Sequence, residues 1–139
     1  MMMEVQLLKD MTFIGKSATG HSVVMDTSEK SGGNQSAPTP MEMVLFGLGG
    51  CTGMDVISIL RKMRQDVTGF RIEIEKKNAD EHPKVYTEIN MKYIFSGRQL
   101  DEKKIARAIE LSQDRYCSVS AMLGKTASIS HTYEIEEEQ

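Results

Sequence analysis

The chain has 139 residues, of which 40% are hydrophobic and 27% charged, and a formal net charge of −3. This length predicts a single domain, 1–139, which buries roughly two thirds of its unfolded surface and needs no disulfide to fold. The acidic balance argues against a nucleic-acid binder, because neutralising phosphates requires a basic face. There is no signal-peptide pattern, and the most apolar window, Met41 to Leu60, contains Asp55 and four glycines. We therefore expect a cytoplasmic protein without a membrane anchor.

Three short β-prone runs open the chain, and they are Val5 to Leu8, Thr12 to Lys16 and Ser22 to Met25. They predict a three-stranded meander. The following stretch up to Thr39 is rich in glycine and polar residues and is typical of a loop. The meander and loop together form the N-terminal part, 1–38, and the remaining elements occupy 39–139.

A long helix is predicted next. Thr39 is placed as an N-cap, Pro40 takes the first helical position and Glu42 follows three residues after the cap, which is a capping box. The helix is expected to end near Met63 and to be buried at the centre of the fold. Its four glycines cost roughly 3 to 4 kcal/mol against alanine, so we expect another helix or a partner subunit to approach the backbone closely. Because the stretch Met41 to Cys51 is apolar on nearly every side, a homodimer that packs two such helices would supply the missing cover.

The second half of the chain alternates strands and helices. Phe70 to Glu75 and Val85 to Phe95 alternate in polarity and predict an antiparallel hairpin. An amphipathic helix opens at Asp101 and a short helical turn spans Ser118 to Leu123. The predicted apolar stripe of the amphipathic helix is Ile105, Ala108, Ile109, Ser112 and Tyr116, and the predicted inner face of the last strand is Ala127, Ile129, His131, Tyr133 and Ile135. The fold class is therefore α+β with a mainly antiparallel sheet.

The only two cysteines, Cys51 and Cys117, lie 66 positions apart and belong to no CxxC pair. With three histidines in the whole chain, no zinc-ligand cluster is predicted. Two roles remain open: inert buried thiols, or a redox couple that meets only in the folded protein. Cys117 lies between two helices, where the backbone N–H groups of Val119 and Ser120 would favour a thiolate. Cys51 lies three turns into its helix, so its activator must come from elsewhere.

Other polar candidates have competing structural explanations. Glu42 can hydrogen-bond a group in a site, or it can serve only the capping box. His82 precedes a proline in a polar turn and is expected to be exposed. His131 lies on the apolar face of the last strand and is predicted to be a core histidine with its hydrogen bonds satisfied.

Three segments together carry a resemblance to a known family. They are Ser36-Ala-Pro-Thr-Pro-Met-Glu42 running on to Gly-Gly-Cys51, then Asp55-Val-Ile-Ser-Ile-Leu60, then Ser112-Gln-Asp-Arg-Tyr-Cys117-Ser-Val-Ser120. Pro-x-Glu upstream of a helical cysteine, paired with Tyr-Cys-Ser-Val far downstream, resembles the OsmC/Ohr family and within it the YhfA-like branch. The likeness runs from the first strands to the last.

This resemblance implies an OsmC-like fold that works as an intertwined homodimer, with the active site at the subunit interface. It implies a cysteine-based, peroxiredoxin-like organic hydroperoxide reductase of oxidative stress defence. Cys51 matches the attacking cysteine and Cys117 the resolving one, and an external dithiol reduces their disulfide. No metal or organic cofactor is implied. Apolar side chains are expected to favour organic hydroperoxides over hydrogen peroxide, and they are Met41, Leu45, Phe46 and Leu48.

The chain departs from the family pattern in one charged group. Family peroxidases carry an arginine in the N-terminal strand region, held by a glutamate, that stabilises the thiolate. Here no arginine precedes Arg61, and His21 lies in the segment that resembles the arginine's place. His21 is therefore the nearest substitute, as a titratable cation, and Glu42, one position late, is the matching glutamate.

Two other functions compete with the peroxidase. The missing arginine favours a non-catalytic or weakly active protein that binds a small apolar molecule at the dimer interface. The order of elements and Gly47-Leu-Gly-Gly50 also resemble a K-homology RNA module with its GxxG loop. The acidic composition, and the place of these glycines inside a predicted helix, argue against RNA.

Overall fold

The structure is a computed structural model that describes residues 2–138. Strands and helices follow one another as the α+β class requires. In chain order they are β1 (Glu4–Lys9), β2 (Thr12–Lys16), β3 (Ser22–Met25), a 3₁₀ turn (Glu29–Ser31), α1 (Pro40–Lys62), β4 (Asp66–Asn78), β5 (Tyr86–Arg98), α2 (Glu102–Leu111), a π-helical turn (Ser112–Tyr116), α3 (Ser118–Leu123) and β6 (Ser128–Glu137). The predicted fold class and the predicted elements are confirmed, and β4 begins four residues before the predicted strand.

The chain groups into two compact units, the first ending at Phe46 and the second beginning at Gly47. Helix α1 contributes its first two turns to the first unit and the rest to the second. The prediction of a single domain, 1–139, stays a prediction.

The first unit contains the predicted meander. Its strands form an antiparallel sheet in the order β1-β2-β3. Next to it lies an apolar cavity of about 450 Å³, whose lining residues include Val5, Met11, Phe13, Met25 and Pro40. The predicted capping box is present at the start of α1, where the Thr39 hydroxyl accepts from the Glu42 N–H and the Glu42 carboxylate accepts from the Thr39 N–H, both at 3.1 Å.

Asp26 organises the loop that leads from β3 to α1. Its carboxylate accepts hydrogen bonds from the backbone N–H groups of Thr27, Asn34 and Ser36 and from the Ser36 hydroxyl. Asp26 is 2% exposed. These bonds, that from the Ser36 hydroxyl first, lower the pKa of the Asp26 carboxyl from 3.8 to about 2. Gly33 closes the same loop, because a Cβ there would clash with the Thr27 carbonyl oxygen.

Replacing Asp26 by asparagine is expected to destabilise the protein in a pH-dependent way. Since the folded pKa is depressed, the stabilising contribution is complete above the unfolded value of 3.8 and disappears as the pH falls through about 2. The difference in melting temperature between the protein and Asp26→Asn should therefore be constant near neutrality and vanish in acid. Thermal scans at stepped pH measure this, with Asp80→Asn in the exposed turn after β4 as the control. A difference that does not change with pH would contradict the assignment.

The second unit is built on a mixed sheet in the order β4-β5-β6. Strands β4 and β5 form the predicted antiparallel hairpin, whereas β6 pairs parallel to β5. Parallel pairing follows from the connection, because α2, the π-helical turn and α3 carry the chain back to the end of the sheet at which β5 begins. Three of the four strand pairings in the described residues are antiparallel, as predicted. Fully buried residues of β5 form the centre of the core, and they are Ile89, Met91, Tyr93 and Phe95.

Within the second unit, α1 buries one stripe and exposes the opposite one. The buried stripe is Leu48, Thr52, Val56 and Leu60, each 0% exposed. Gly49 and Gly53 lie over β4 side chains, so the predicted close approach is made there by the sheet. A Cβ added at Gly47 or Gly50 would meet no heavy atom within 4 Å, and Met54 on the same side is 77% exposed. Among the described residues, nothing therefore covers the side of α1 that carries Gly47, Gly50 and Met54.

Helix α1 is also long and apolar enough to cross a membrane, a test that core helices of soluble proteins pass as well. The prediction that it is a core helix and that no membrane anchor is present stays a prediction.

Two predicted core positions are wrong. Tyr116 is 54% exposed, because the helix widens into a π-helical turn after α2 and the 3.6-residue period no longer applies. His131 is exposed rather than buried, because β6 is an edge strand, and its ring contacts the edge of Tyr93 at a centroid distance of 6.2 Å.

Candidate active site

The two cysteines meet in the second unit. Both are free thiols, and their sulfurs lie within 4.8 Å of each other and of an Asp55 carboxylate oxygen. Cys117 is 3% exposed, whereas Cys51 is partly accessible. Of the two roles left open by the sequence, this proximity favours a redox couple, since a short movement brings the sulfurs to bonding distance.

Helix α1 presents three of the polar groups. Thr52 lies on the buried stripe, four residues after Leu48 and four before Val56. Cys51 and Asp55 are themselves four residues apart, so their side chains are neighbours on the helix surface. The helix therefore holds a thiol, a hydroxyl and a carboxylate side by side above the sheet.

The π-helical turn positions Cys117. The Cys117 N–H donates to the Ser112 carbonyl oxygen at 2.8 Å. This hydrogen bond spans five residues and closes the wider ring that defines a π-helical turn. The extra residue turns Tyr116 outward and Cys117 inward. Cys117 then leaves the helical conformation, with φ −75° and ψ 103°, and its side chain caps α3 by accepting from the Ser120 N–H at 3.3 Å.

A chain of hydrogen bonds surrounds the Cys117 sulfur. The Thr52 hydroxyl donates to Cys117 Sγ at 3.3 Å. The Gln113 amide nitrogen donates to the Thr52 hydroxyl oxygen at 3.3 Å and to the Tyr93 hydroxyl at 2.9 Å. The Ser120 hydroxyl donates to the Gln113 carbonyl oxygen at 3.2 Å. Every polar side chain of this network thus has a partner.

The surroundings act oppositely on the two thiols. Burial raises the pKa of Cys51, and the neighbouring Cys117 and Asp55 raise it further against the effect of the Val119 N–H. Burial alone would also raise the pKa of Cys117, but hydrogen bonds from Ser120, Thr52 and Cys51 outweigh it and lower that pKa. The predicted approach of a backbone N–H to the Cys117 sulfur is present for Ser120, while the Val119 N–H acts on Cys51, and the thiolate itself stays a prediction.

Asp55 completes the cluster. Its carboxylate accepts from the Ser112 hydroxyl at 3.0 Å. Two thiols and a carboxylate have the separation of groups around a small cation, but three side chains, one already bonded to Ser112, do not by themselves make a metal site. The predictions that no metal and no organic cofactor are needed stay predictions.

The other two predicted site residues lie in the first unit. Glu42 is held by the capping box with Thr39. The ring of His21 is exposed, and its Nδ1 lies 3.1 Å from the hydroxyl oxygen of Thr19 in its own turn. The hydrogen bonds described for both side chains are local, and their catalytic roles stay predictions.

Sequence reasoning assigned no role to Thr52, Gln113 or Asp55. Thr52 carries a detectable signal, because it is a polar residue on an otherwise apolar stripe at helical spacing. Asp55 was recognisable as a charge within the apolar window. Gln113 carries no such signal, because its inward position depends on the π-helical turn.

Comparisons with known proteins agree with this architecture. The family model described as OsmC-like protein matches residues 32–132. Protein YhfA of Escherichia coli K12 is 42% identical over 135 residues, which cover 97% of this chain and 98% of YhfA. The crystal structure of a hypothetical protein from Aquifex aeolicus is 33% identical, with a TM-score of 0.86, covering 99% of this chain and 97% of that one.

More distant structures share the fold. Organic hydroperoxide resistance protein OhrB of Bacillus subtilis superposes with a TM-score of 0.61 at 14% identity, over 96% of this chain and 98% of that one. The matched family model and the near full-length likeness to YhfA lead to one conclusion: the chain belongs to the OsmC-like protein family.

Proposed function

We propose that the protein is a thiol-dependent peroxidase that reduces organic hydroperoxides and serves oxidative stress defence in the cytoplasm. The observation that carries this proposal is the pair of free thiols, Cys51 and Cys117, whose sulfurs lie within 4.8 Å inside a polar network. Family membership supports it, since structural neighbours of the same fold include proteins named for organic hydroperoxide resistance.

The proposed reaction uses the accessible sulfur first. The Cys51 sulfur attacks the terminal oxygen of the hydroperoxide, the O–O bond breaks, and an alcohol leaves. The resulting Cys51 sulfenic acid condenses with Cys117, forming a disulfide and water. An external dithiol then reduces the disulfide and is itself oxidised, which closes the cycle. We propose that Glu42 and His21 assist Cys51 in place of the missing arginine pair.

The test is peroxide consumption by the reduced protein with a dithiol reductant. We expect cumene hydroperoxide to be consumed catalytically and faster than hydrogen peroxide, because apolar side chains on α1 favour an organic group. The predicted set is Met41, Leu45, Phe46 and Leu48, of which Met41 and Phe46 are exposed and could contact such a group, whereas Leu45 and Leu48 are buried. Mass spectrometry of the oxidised protein should find the Cys51–Cys117 disulfide. Thiols that stay reduced in excess hydroperoxide would exclude the function.

We further propose that the protein is an intertwined homodimer. The stripe formed by Gly47, Gly50 and Met54 supports this, because these residues lie at positions i, i+3 and i+7 of α1 and are open within one chain. Glycines allow a second helix to come close, which offsets their low helix propensity.

Met54→Glu is expected to weaken this dimer, because burying an unpaired carboxylate in an apolar interface is unfavourable. Light scattering coupled to size exclusion should show a dimer for the unmodified protein and a larger monomer fraction for the variant. We expect the dissociation constant of the dimer to rise by roughly tenfold or more. Val85→Glu, in the turn before β5, is the control and should stay dimeric. Equal dimer stability in both variants would argue against this interface.

The apolar cavity of the first unit favours a second function, the binding of a small apolar molecule without catalysis. A volume of about 450 Å³ is within the range of ligand sites. This function predicts a copurifying ligand in native mass spectrometry and thiols that react no faster than a free cysteine. A ligand-free protein with reactive thiols would exclude it.

A further inference from the structure

Two hydrogen-bond donors converge on the sulfur of Cys117, and a second thiol lies beside it. The Thr52 hydroxyl and the Ser120 N–H each lie 3.3 Å from Sγ, and the Cys51 thiol faces it from α1. A neutral thiol must also place its own proton and is a weak acceptor. A sulfur that receives two donors and has a further thiol beside it is therefore best matched by a thiolate.

The direction of the Thr52 hydrogen bond is determined by its neighbours. The Tyr93 hydroxyl donates to Met91 Sδ at 3.9 Å, and because a thioether can only accept, the Tyr93 oxygen is the acceptor for Gln113. The Gln113 amide nitrogen therefore faces Tyr93 and Thr52, and its carbonyl oxygen accepts from the Ser120 hydroxyl. The Thr52 oxygen is thereby an acceptor from Gln113, and its own proton is left to point at Cys117 Sγ. The hydrogen bonds therefore run in one direction, from Gln113 to Thr52 and from Thr52 to the Cys117 sulfur.

Cys51 has the opposite surroundings. It lies beside two groups that carry or favour negative charge, Asp55 and the Cys117 sulfur. A second negative charge within 4.8 Å is unfavourable, so the two sulfurs do not readily ionise together, and the donors at Cys117 favour ionisation there. The accessible thiol is consequently the weaker acid of the pair, and the buried thiol is the stronger one.

This leaves a problem of reactivity, since the sulfur that a hydroperoxide reaches has to lose its proton before it can attack. We propose that Cys117 is the acid–base catalyst of Cys51, with Thr52 as the positioning residue of Cys117. This inference rests on the proposed peroxidase function. Cys117 thus acts before the condensation step as well as in it.

Each step conserves protons and electron pairs. The Cys117 thiolate takes the proton of the Cys51 thiol, and the Cys51 thiolate attacks the terminal oxygen of the hydroperoxide. The O–O bond breaks with its electron pair going to the departing alkoxide, which takes the proton back from Cys117. Cys117, again a thiolate, attacks the Cys51 sulfenic acid: the S–S bond forms, the S–O bond breaks, and hydroxide leaves with a solvent proton as water.

The first test separates this role from a purely resolving one. Formation of the Cys51 sulfenic acid by cumene hydroperoxide is followed in a single turnover without reductant, in the protein and in Cys117→Ser. A resolving cysteine acts only after this step, so a resolving role alone leaves its rate unchanged. We expect the variant to be slower by roughly tenfold or more. Equal rates at neutral pH would overturn the proposal while leaving the peroxidase function intact.

The second test does not depend on peroxide. Thiolate absorbance is titrated in the reduced protein and in Cys51→Ser, Cys117→Ser and Thr52→Val, and the cysteine alkylated first by iodoacetamide is mapped at each pH. Asp55 and Tyr93 are the other titratable side chains that face Cys117, and all the variants retain both. We expect the thiolate that forms at lowest pH to survive in Cys51→Ser and to be lost in Cys117→Ser.

Thr52→Val should shift the same titration upward, and Thr52→Ser should restore it, which a merely structural role would not do. If the thiolate that forms at the lowest pH is lost in Cys51→Ser and kept in Cys117→Ser, the inference is overturned, whether or not the protein is a peroxidase. Conversely, a protein that leaves hydroperoxide untouched but shows the expected titration would contradict the proposed function and, with it, the catalytic role of Cys117.

Discussion

Replacing Cys51 by serine is expected to reduce hydroperoxide consumption by a factor on the order of 10³ or more. A serine hydroxyl at this place is a far weaker nucleophile than a thiolate, and it cannot form the disulfide. Cys117 remains in the variant, but it is 3% exposed and lacks access to the substrate within the chain. Peroxide consumption under excess dithiol, followed by a colorimetric peroxide assay, measures the loss.

The control for this experiment is Ala79→Ser, which introduces the same side chain in the turn after β4, away from the thiols. It should keep the full rate. A Cys51→Ser variant that retains more than about a tenth of the activity would show that Cys117 or another group attacks the hydroperoxide.

Phe95→Ala is expected to lower the free energy of unfolding by about 3 to 5 kcal/mol. Phe95 is 0% exposed at the centre of β5, and its ring stacks on Phe70 at a centroid distance of 4.6 Å. Removing the ring leaves a cavity in the sheet that supports Tyr93 and, through it, Gln113. Urea unfolding at a fixed protein concentration measures the change, since a dimer's stability depends on concentration.

Tyr116→Ala is the matched control, because it truncates an aromatic residue that is 54% exposed. The expected cost is below about 1 kcal/mol. Similar losses for the two variants would mean that Tyr116 is buried in the protein as it exists in solution, for example in a dimer interface.

Local sequence patterns were sufficient for most of the fold. The meander, the start of α1 at its capping box and the hairpin follow from turn residues, caps and alternation, each of which acts over a few positions. The Gly47-to-Gly50 stretch lies inside α1, as expected, rather than in the loop that an RNA-binding GxxG motif requires.

The remaining features depend on interactions between distant segments. The exposed position of His131 follows from β6 being an edge strand, and sequence alternation alone does not reveal which strand has a free side. Tyr116 lies outside its predicted apolar stripe because of one π-helical turn, which a periodic sequence pattern does not reveal. The donors around Cys117 come from α1, the π-helical turn and α3, so Thr52 and Gln113 could be recognised only once these elements were together.

The placement of the two thiols has a thermodynamic consequence. Cys51 lies on α1, which precedes β4 in the chain. Cys117 lies in the connection between β5 and β6, 66 positions further along. A disulfide between them would close a covalent loop around the whole β4–β5 hairpin and α2. In the chain-entropy treatment, a loop of this size restricts the unfolded chain by about 4 kcal/mol. Oxidation would then also change stability: the disulfide-bonded protein would resist heat and proteases better than the reduced protein, for as long as reductant is scarce.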